Sequence, residues 1–237
     1  SVGMTVSSST NDTAEELLKN ADIALYKSKE NGRGCATMFE TSMRQEVQDR
    51  RTIELDLRTA LKQDELELYY QPLVNVETSK ITRYEALIRW NHPTKGLIMP
   101  NDFIPIAEET GIIVQLGEWI IRTALHELAR WPEHLSVAVN LSPAQIQSPN
   151  LLPTIVNGLA SAAVDPKRLE LEITESVLMN DDQSNVKLLH KIRSLGVRIA
   201  LDDFGTGYSS LNYLRSFPFD KIKIDRCFVE DVDSRED

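Results

Sequence analysis

The chain has 237 residues, of which 41% are hydrophobic and 26% charged, an ordinary composition for a folded domain with a sizeable core. Its formal net charge of −10 argues against a nucleic-acid polymer as partner, because such binding depends on clustered Lys and Arg that contact phosphates. The charge does not exclude a small nucleotide, since bound cations can neutralise the phosphates of such a ligand.

The amino-terminal residues 1–40 show a strand–helix–strand pattern that is too short for an independent core. Thr13 and Glu16 predict a capping box at the helix start, and Gly32 marks the helix end. We expect this segment to be the end of a larger domain. Residues 41–62 predict a charged helix with few apolar positions, which is typical of a connector between two domains.

From residue 63 onward, strand patterns alternate with helical patterns. The predicted strands are Leu66–Val74, Ile81–Trp90, Leu135–Leu141, Arg168–Thr174, Val197–Asp202 and Lys221–Asp225. The predicted helices are Asp102–Thr110, Ile112–Trp131, Leu151–Ala162, Asp181–Leu195 and Ser209–Phe217. Gly111 and Gly196 stand where helices should end.

This alternation predicts an α/β fold with a largely parallel sheet or a (β/α) barrel. The barrel is favoured because polar residues follow the ends of several different strands, where a barrel builds its active site. A closed barrel needs about eight strands and roughly 250 residues. The pattern supplies six strands, so we expect an incomplete (β/α)8 TIM-like barrel over residues 63–237.

Acidic residues alternate with apolar ones in the segment Leu169–Glu175. The alternation places Glu170, Glu172 and Thr174 on one face of the strand. A barrel strand is covered on both faces, and a buried carboxylate is costly unless a cation or strong donors compensate it. The alternative is an edge strand whose polar face is solvated.

Two adjacent acids end the next predicted strand, where Asp202 and Asp203 precede Gly205 and Gly207. Adjacent carboxylates raise the pKa of each other unless a metal ion neutralises them, and the glycines allow a sharp turn. The pattern therefore favours a metal site over the alternative of an Asp that caps a turn.

Three further strands carry polar side chains that we assign to the same predicted rim. Lys223 lies between isoleucines and points either into the site or, by extending its chain, into water. Asn140 offers a neutral oxygen ligand or a turn-forming amide. Glu85 and Arg89 share a strand face, either as an ion pair or as a metal ligand and a phosphate-binding fork. Their convergence favours metal-assisted phosphoryl chemistry.

The metal itself must be bound by oxygen, since the four histidines form no HxH or HExxH pattern and Cys35 and Cys227 are far apart. Oxygen ligands suit Mg²⁺ or Mn²⁺ better than zinc.

Two cysteines without a partner at bonding spacing indicate a reducing compartment. No apolar run approaches the ~20 residues of a membrane span. We expect a cytoplasmic segment without membrane contact, although an upstream segment could anchor the parent protein.

Five motifs of the chain closely resemble those of the EAL family of cyclic-di-GMP phosphodiesterases, in the family's order and at its approximate spacings. The resemblance runs from about Ile53 to the end of the chain. The motifs are Glu85-Ala86-Leu87 with the preceding Tyr70-Gln71-Pro72, Asn140-Leu141-Ser142, Glu172-Ile173-Thr174-Glu175, Asp202-Asp203-Phe204-Gly205 and Lys223-Ile224-Asp225.

The resemblance implies a role for each matching residue. The implied ligands of one metal ion are Glu85, Asn140, Glu172 and Asp202, with Asp203 serving a second ion. Lys223 matches a lysine that positions the attacking water, and Glu175 matches a glutamate that steadies the loop after Asp203. The implied substrate-binding residues are Gln71, Leu87 and Arg89.

The implied reaction is hydrolysis of cyclic di-GMP to linear pGpG with two Mg²⁺ or Mn²⁺ ions. The loop after Asp203 lies at the family's dimer contact, so the resemblance also implies an EAL–EAL homodimer. The alternative function is a receptor that binds cyclic di-GMP without hydrolysing it.

The two ends of the chain depart from a complete EAL domain. Ala21–Lys29 with Gly32-Arg33 resembles the last part of a GGDEF domain, without that domain's signature loop. No counterpart of the family's catalytic glutamate follows Asp225, so we expect this residue to lie beyond Asp237 and the segment to be inactive alone.

Overall fold

A computed structural model describes residues 1–7, 13–179, 183–205 and 217–228. The chain divides into two compact units, Ser1–Arg58 and Thr59–Asp237. The division falls within one helix, and the predicted separation of residues 1–40 from a linker at 41–62 stays a prediction.

The first unit has the predicted strand–helix–strand order. Its elements are β1 (Val2–Met4), α1 (Ala14–Glu30), β2 (Ala36–Met38) and the greater part of α2 (Thr41–Ala60). The strands β1 and β2 are parallel. The capping box of α1 forms as predicted, since the backbone amide of Glu16 donates to Oγ1 of Thr13 over 3.2 Å, and the backbone amide of Thr13 donates to Oε2 of Glu16 over 3.2 Å.

The second unit is built on a sheet whose strand order is β3-β4-β6-β7-β8-β9, with the short β5 paired to β4. The strands are β3 (Leu66–Asn75), β4 (Lys80–His92), β5 (Gly96–Ile98), β6 (Ser136–Leu141), β7 (Leu169–Thr174), β8 (Arg198–Phe204) and β9 (Lys221–Ile224). All six predicted strands are therefore present.

The start of this sheet differs from the predicted alternation of strands and helices. Strands β3 and β4 are antiparallel, and so are β4 and β5, whereas β4, β6, β7, β8 and β9 run parallel. The reason is the length of the connection, because residues 76–79 are too few for the crossover that two parallel strands require. The short β5 was not predicted, since three residues carry no measurable periodicity.

The helices of this unit are α3 (Pro100–Glu109), α4 (Ile112–Leu128), α5 (Pro143–Ile146), α6 (Leu151–Ala162), α7 (Ser176–Met179) and α8 (Gln183–Ser194). Short 3₁₀ turns cover Pro166–Arg168 and Arg226–Phe228. Helix α4 ends before the predicted Trp131. The predicted helix start at Asp181 and the predicted helix Ser209–Phe217, apart from Phe217, lie outside the described residues.

The parallel strands are covered on their outer face by helices and carry polar side chains on their inner face. On β4, Trp90 packs edge-on against Phe103 of α3, with ring centroids 5.6 Å apart. On β7, Glu170 and Glu172 are each 1% exposed between β6 and β8. The alternative of a solvated edge strand is therefore wrong. Among the described strands, β3 and β9 end the order without pairing to each other, as an incomplete barrel requires.

No helix in the described part of the chain is long and apolar enough to cross a membrane. Cys35 and Cys227 are both exposed, and neither forms a disulfide bond in the described part of the chain.

Candidate active site

One lysine and three acids from four different strands meet at the inner face of the sheet. The Nζ of Lys223 lies 3.2 Å from Oε2 of Glu85, 2.6 Å from Oε2 of Glu172 and 2.8 Å from Oδ2 of Asp202. We call these four residues the upper cluster. Lys223 is only 21% exposed, so its ammonium faces the acids and does not reach into bulk water.

The register of the strands explains why these side chains meet. Asn140 pairs with Glu172 across β6 and β7, and Thr174 pairs with Asp202 across β7 and β8. Parallel strands bring their carboxyl ends to the same edge of a sheet, which is where barrels and open α/β sheets form their sites. The convergence predicted from separate strand ends is therefore present in the structure.

Asn140 joins the upper cluster through its side-chain amide, whose Nδ2 donates to Oε1 of Glu85 over 2.8 Å. This bond orients the amide toward the acids and leaves its carbonyl oxygen as the atom suited to a cation. Glu85 has no ion pair with Arg89 among the described contacts, because its partners are Lys223 and Asn140. The predicted alternative of a Glu85–Arg89 structural pair is therefore wrong.

Burial controls the electrostatics of the upper cluster. Burial raises the pKa of Glu172 to about 7, and the hydrogen bond from Lys223 offsets only part of this effect. Burial alone would lower the pKa of Lys223, but hydrogen bonds to Asp202 and Glu172 outweigh it and raise that pKa. The ammonium is therefore held in its charged form, while Glu172 is poised to lose a proton near neutral pH.

Asp203 lies beside the upper cluster but is not one of the three carboxylates whose oxygens converge. Its backbone is left-handed, with φ 52°, and its amide donates to Oδ1 of Asp202 over 2.9 Å. Burial, together with the neighbouring Asp202, raises the pKa of Asp203. Asp203 is the penultimate residue of β8, so it lies at the carboxyl end of that strand.

The turn that follows Asp203 is held by two other segments. The backbone amide of Gly205 donates to Oε1 of Glu175 over 2.9 Å, which is the contact that a loop-steadying glutamate requires. Gly205 has φ 103°, and a Cβ atom at this position would lie 2.6 Å from the Phe228 ring. The ring therefore packs directly against a turn that only glycine fits without strain.

The remaining predicted residues lie on β3 and β4. Gln71 is opposite Glu85 in the antiparallel register, and directly opposed side chains share a face of the sheet. Leu87 is the next residue of β4 on that face. The guanidinium of Arg89 donates to the backbone carbonyl of Ile88 over 2.8 Å and stacks over the Tyr69 ring at 5.3 Å. None of the three is a member of the upper cluster.

The donor set fits a hard divalent cation. Oxygens of Glu85, Glu172 and Asp202 all lie within 4.8 Å of one another, and within the described ranges this is the group of acids, histidines and cysteines that could bind a metal ion. The Oε1 of Glu172 is buried without a hydrogen-bond partner in the described structure. A buried carboxylate oxygen without a donor is costly, and a cation would satisfy it.

A comparison with protein families matches the EAL domain over residues 54–237. The chain belongs to the EAL domain family. The resemblance inferred from the five motifs is thus confirmed, as is the α/β barrel-type fold. The GGDEF remnant stays a prediction.

Relatives of this EAL domain are found across bacteria. An uncharacterised protein of Sinorhizobium fredii, y4lL, is 50% identical over 98% of the chain and 28% of its own length. The bifunctional diguanylate cyclase/cyclic di-GMP phosphodiesterase MucR of Pseudomonas aeruginosa is 40% identical over 98% of the chain and 34% of its own length. The chain therefore spans about a third of the length of these curated relatives.

A solved structure of the PaMucR phosphodiesterase in complex with c-di-GMP has a TM-score of 0.74 with this chain. It shares 40% sequence identity, and the match covers 78% of this chain and 76% of that one.

Two features of the EAL domain site were not predicted from the sequence. One is the packing of Phe228 against Gly205. The other is an ion cluster beneath the upper cluster, where Glu170 accepts from Arg83 and from Lys221. The alternation of Glu170 with Glu172 was a signal for the second feature, because it places both acids on the inner face.

Proposed function

We propose that this EAL domain hydrolyses one phosphodiester bond of cyclic di-GMP and releases linear pGpG. The observation that carries the proposal is the convergence of Glu85, Glu172, Asp202 and the Asn140 amide on the inner face of four adjacent strands. A relative that shares 40% identity over nearly the whole chain is named as a cyclic di-GMP phosphodiesterase. The match of sequence, fold and donor set supports the same chemistry here.

The proposed cations are Mg²⁺ or Mn²⁺, in keeping with an all-oxygen donor set. Glu85, Asn140, Glu172 and Asp202 would hold one ion, and Asp203 would serve a second. When bound, such ions polarise the phosphoryl group and activate the attacking water.

The remaining residues position the reactants. The oxygen of a water molecule attacks phosphorus, the P–O3′ bond breaks, and the 3′ oxygen leaves as a hydroxyl. Lys223 would orient that water, because its ammonium is fixed among the acids that surround the reaction site. Gln71, Leu87 and Arg89 would contact the dinucleotide from the face that β3 and β4 share. Glu175 would hold the turn after Asp203 through the Gly205 amide.

The proton acceptor for the attacking water is proposed to be a glutamate beyond Asp237, as the family resemblance implies. Lys223 is unsuited to this role, because the acids around it raise its pKa and keep it protonated. Residues 1–237 alone should therefore bind divalent cations without rapid turnover.

The test is a turnover assay with the full-length protein, cyclic di-GMP and Mn²⁺, in which released pGpG is separated by chromatography. We expect turnover that requires the divalent ion and is abolished in Glu85→Gln, which keeps the size of the side chain but removes its charge. Arg122→Gln, on the outer surface of α4, is the matched control and should retain activity.

The receptor alternative predicts a different result in the same assay. A receptor would bind cyclic di-GMP in calorimetry with or without divalent ions and would release no pGpG. The preserved acids of the upper cluster argue against it, since a protein that only binds the dinucleotide has no need of three converging carboxylates.

We also propose that the domain forms an EAL–EAL homodimer through the region of the turn held by Glu175. Light scattering of the full-length protein would test this, and a monomer at every concentration would contradict it. We further propose that the segment is cytoplasmic, which the exposed cysteines Cys35 and Cys227 support, since a reducing compartment keeps thiols reduced.

A further inference from the structure

A second ion cluster lies on the inner face of the sheet, one step closer to the amino-terminal ends of the strands than the upper cluster. Oε1 of Glu170 forms an ion pair with Arg83 and lies 3.3 Å from the Nζ of Lys221. The Nε of Arg83 also donates to Oγ of Ser136 over 3.0 Å. We call Arg83, Glu170 and Lys221, with Ser136, the lower cluster.

Each ionic member of the lower cluster precedes a member of the upper cluster by two residues. Arg83 precedes Glu85 on β4, Glu170 precedes Glu172 on β7, and Lys221 precedes Lys223 on β9. Residues two apart on a strand share a face and are separated by roughly 7 Å. The two clusters are therefore stacked layers carried by the same three strands.

These three strands are not neighbours in the sheet. Strand β6 separates β4 from β7, and β8 separates β7 from β9. Backbone hydrogen bonds therefore do not join them directly. The lower cluster joins these strands through side chains, because Glu170 accepts hydrogen bonds from one residue of β4 and one of β9 across the interior.

Stability alone gives a poor explanation for this arrangement. Glu170 is 1% exposed, and the interior layers of a barrel are usually filled by Val, Ile and Leu. A buried ion cluster is often no more stabilising than apolar side chains of similar volume. Charged side chains contribute orientation instead, because a guanidinium fork fixes the orientation of the carboxylate that it binds.

We propose that the lower cluster positions the upper cluster: Glu170, held by Arg83 and Lys221, fixes the spacing across the barrel interior at which Glu85, Glu172 and Lys223 face one another. Its members are positioning residues, because they act through the strands and do not touch the reacting atoms. The inference rests on the proposed function only in taking the upper cluster as a divalent-cation site.

The first test replaces the whole lower layer by apolar side chains in the triple variant Arg83→Met, Glu170→Leu, Lys221→Met. The thermal midpoint of unfolding is measured by calorimetry, and Mn²⁺ binding is measured by the electron paramagnetic resonance signal of the free ion. We expect a folded protein whose Kd for Mn²⁺ is raised by about tenfold or more, the usual effect of removing groups that orient metal ligands.

The second test keeps every charge. Arg83→Lys retains the cation but loses the planar fork, so it should raise the Kd for Mn²⁺ with little change in the thermal midpoint. If the triple variant does not fold, the Arg83→Lys variant alone tests the positioning role. Arg122→Met is the control, since it removes an exposed ion pair with Glu118 and should leave Mn²⁺ binding unchanged.

The positioning role and the proposed hydrolysis of cyclic di-GMP can fail independently in these experiments. Wild-type affinity for Mn²⁺ in a folded lower-cluster variant overturns the positioning role, whether or not the protein hydrolyses cyclic di-GMP. Failure of the wild-type protein to bind Mn²⁺ overturns both the metal site and the positioning role. Weaker Mn²⁺ binding in the variants supports the positioning role even where no pGpG is released.

Discussion

The ammonium of Lys223 lies 2.6 Å from Oε2 of Glu172, so a strand at the end of the described sheet supplies the charge that compensates a fully buried acid. The same ammonium contacts Glu85 and Asp202. In the protein without divalent ions it is the positive centre of the site. A bound divalent cation would therefore share the same three carboxylates with Lys223.

Replacement of Lys223 by Met should reveal this sharing. Breaking a buried ion pair costs about 3 kcal/mol, so we expect the free energy of unfolding without divalent ions to fall by about that amount. Added Mn²⁺ should then raise the thermal midpoint more in the variant than in the wild type, because the ion no longer shares the carboxylates with an ammonium. Calorimetry with and without Mn²⁺ measures both effects.

The control for this comparison is Lys191→Met, on the exposed surface of α8. It should change neither the stability nor the response to Mn²⁺. An equal response to Mn²⁺ in Lys223→Met and in the wild type would show that Lys223 does not share the carboxylates with the cation.

The affinity for Mn²⁺ should depend on pH through Glu172, whose pKa is raised by burial to about 7. Below that pH the cation must displace a proton, so the Kd should rise by up to about tenfold per pH unit, and above it the Kd should level off. Calorimetry in two buffers of different ionisation enthalpy would detect the proton released on binding. A Kd that is constant between pH values of about 5 and 8 would contradict the assignment.

The raised pKa of Glu172 also makes the stability of the metal-free protein depend on pH, and this stability falls as the pH rises. The folded pKa of Glu172 lies above its ordinary value of 4.5, so the folded state binds the proton more tightly than the unfolded state. The stabilising contribution of that proton is fully present below the ordinary pKa and is lost as the pH rises through about 7. Glu172→Gln should remove this pH dependence from urea unfolding curves.

Much of this site could be predicted from the sequence, because it depends on local alternation. The period of two in Leu169–Glu175 and Lys221–Asp225 places Glu172 and Lys223 on the inner face, where the structure has them. The ends of the strands follow from the apolar runs, and parallel strands place those ends together.

The lower cluster could not be predicted in the same way. Arg83 and Glu170 are 87 residues apart, and Lys221 and Glu170 are 51 apart, so no local pattern joins them. The antiparallel start of the sheet, by contrast, was missed although the short connection between the first two predicted strands already excludes a parallel crossover. The packing of Phe228 against Gly205 depends on a turn whose conformation the sequence leaves open.

Asp203→Asn should abolish turnover in the full-length protein and leave binding of cyclic di-GMP largely intact. The substitution removes a charge proposed to serve the second cation, and Asn tolerates the left-handed backbone of this position, φ 52°. Turnover is measured as pGpG released, and binding by calorimetry in Ca²⁺-free buffer without Mn²⁺. Normal turnover would remove Asp203 from the metal site, whereas loss of folding would be visible in the thermal midpoint.

Gly205→Ala tests whether the turn after Asp203 must keep its conformation for catalysis. The new Cβ would lie 2.6 Å from the Phe228 ring, in a backbone with φ 103° that costs a non-glycine residue about 1–2 kcal/mol. Phe228 is 53% exposed, so its ring can move aside without unfolding the domain. We therefore expect turnover to fall by about tenfold or more while the thermal midpoint falls by only a few degrees.

A double-mutant cycle separates the clash from the backbone strain. Phe228→Leu removes the atoms that the new Cβ would meet, so the pair Gly205→Ala, Phe228→Leu should recover part of the lost turnover if the ring displaces the turn. If strain at Gly205 alone is responsible, the two substitutions will be additive and no turnover will be recovered. Full activity of Gly205→Ala would show that the turn accepts a Cβ atom without displacing Asp203, so that glycine is not required there.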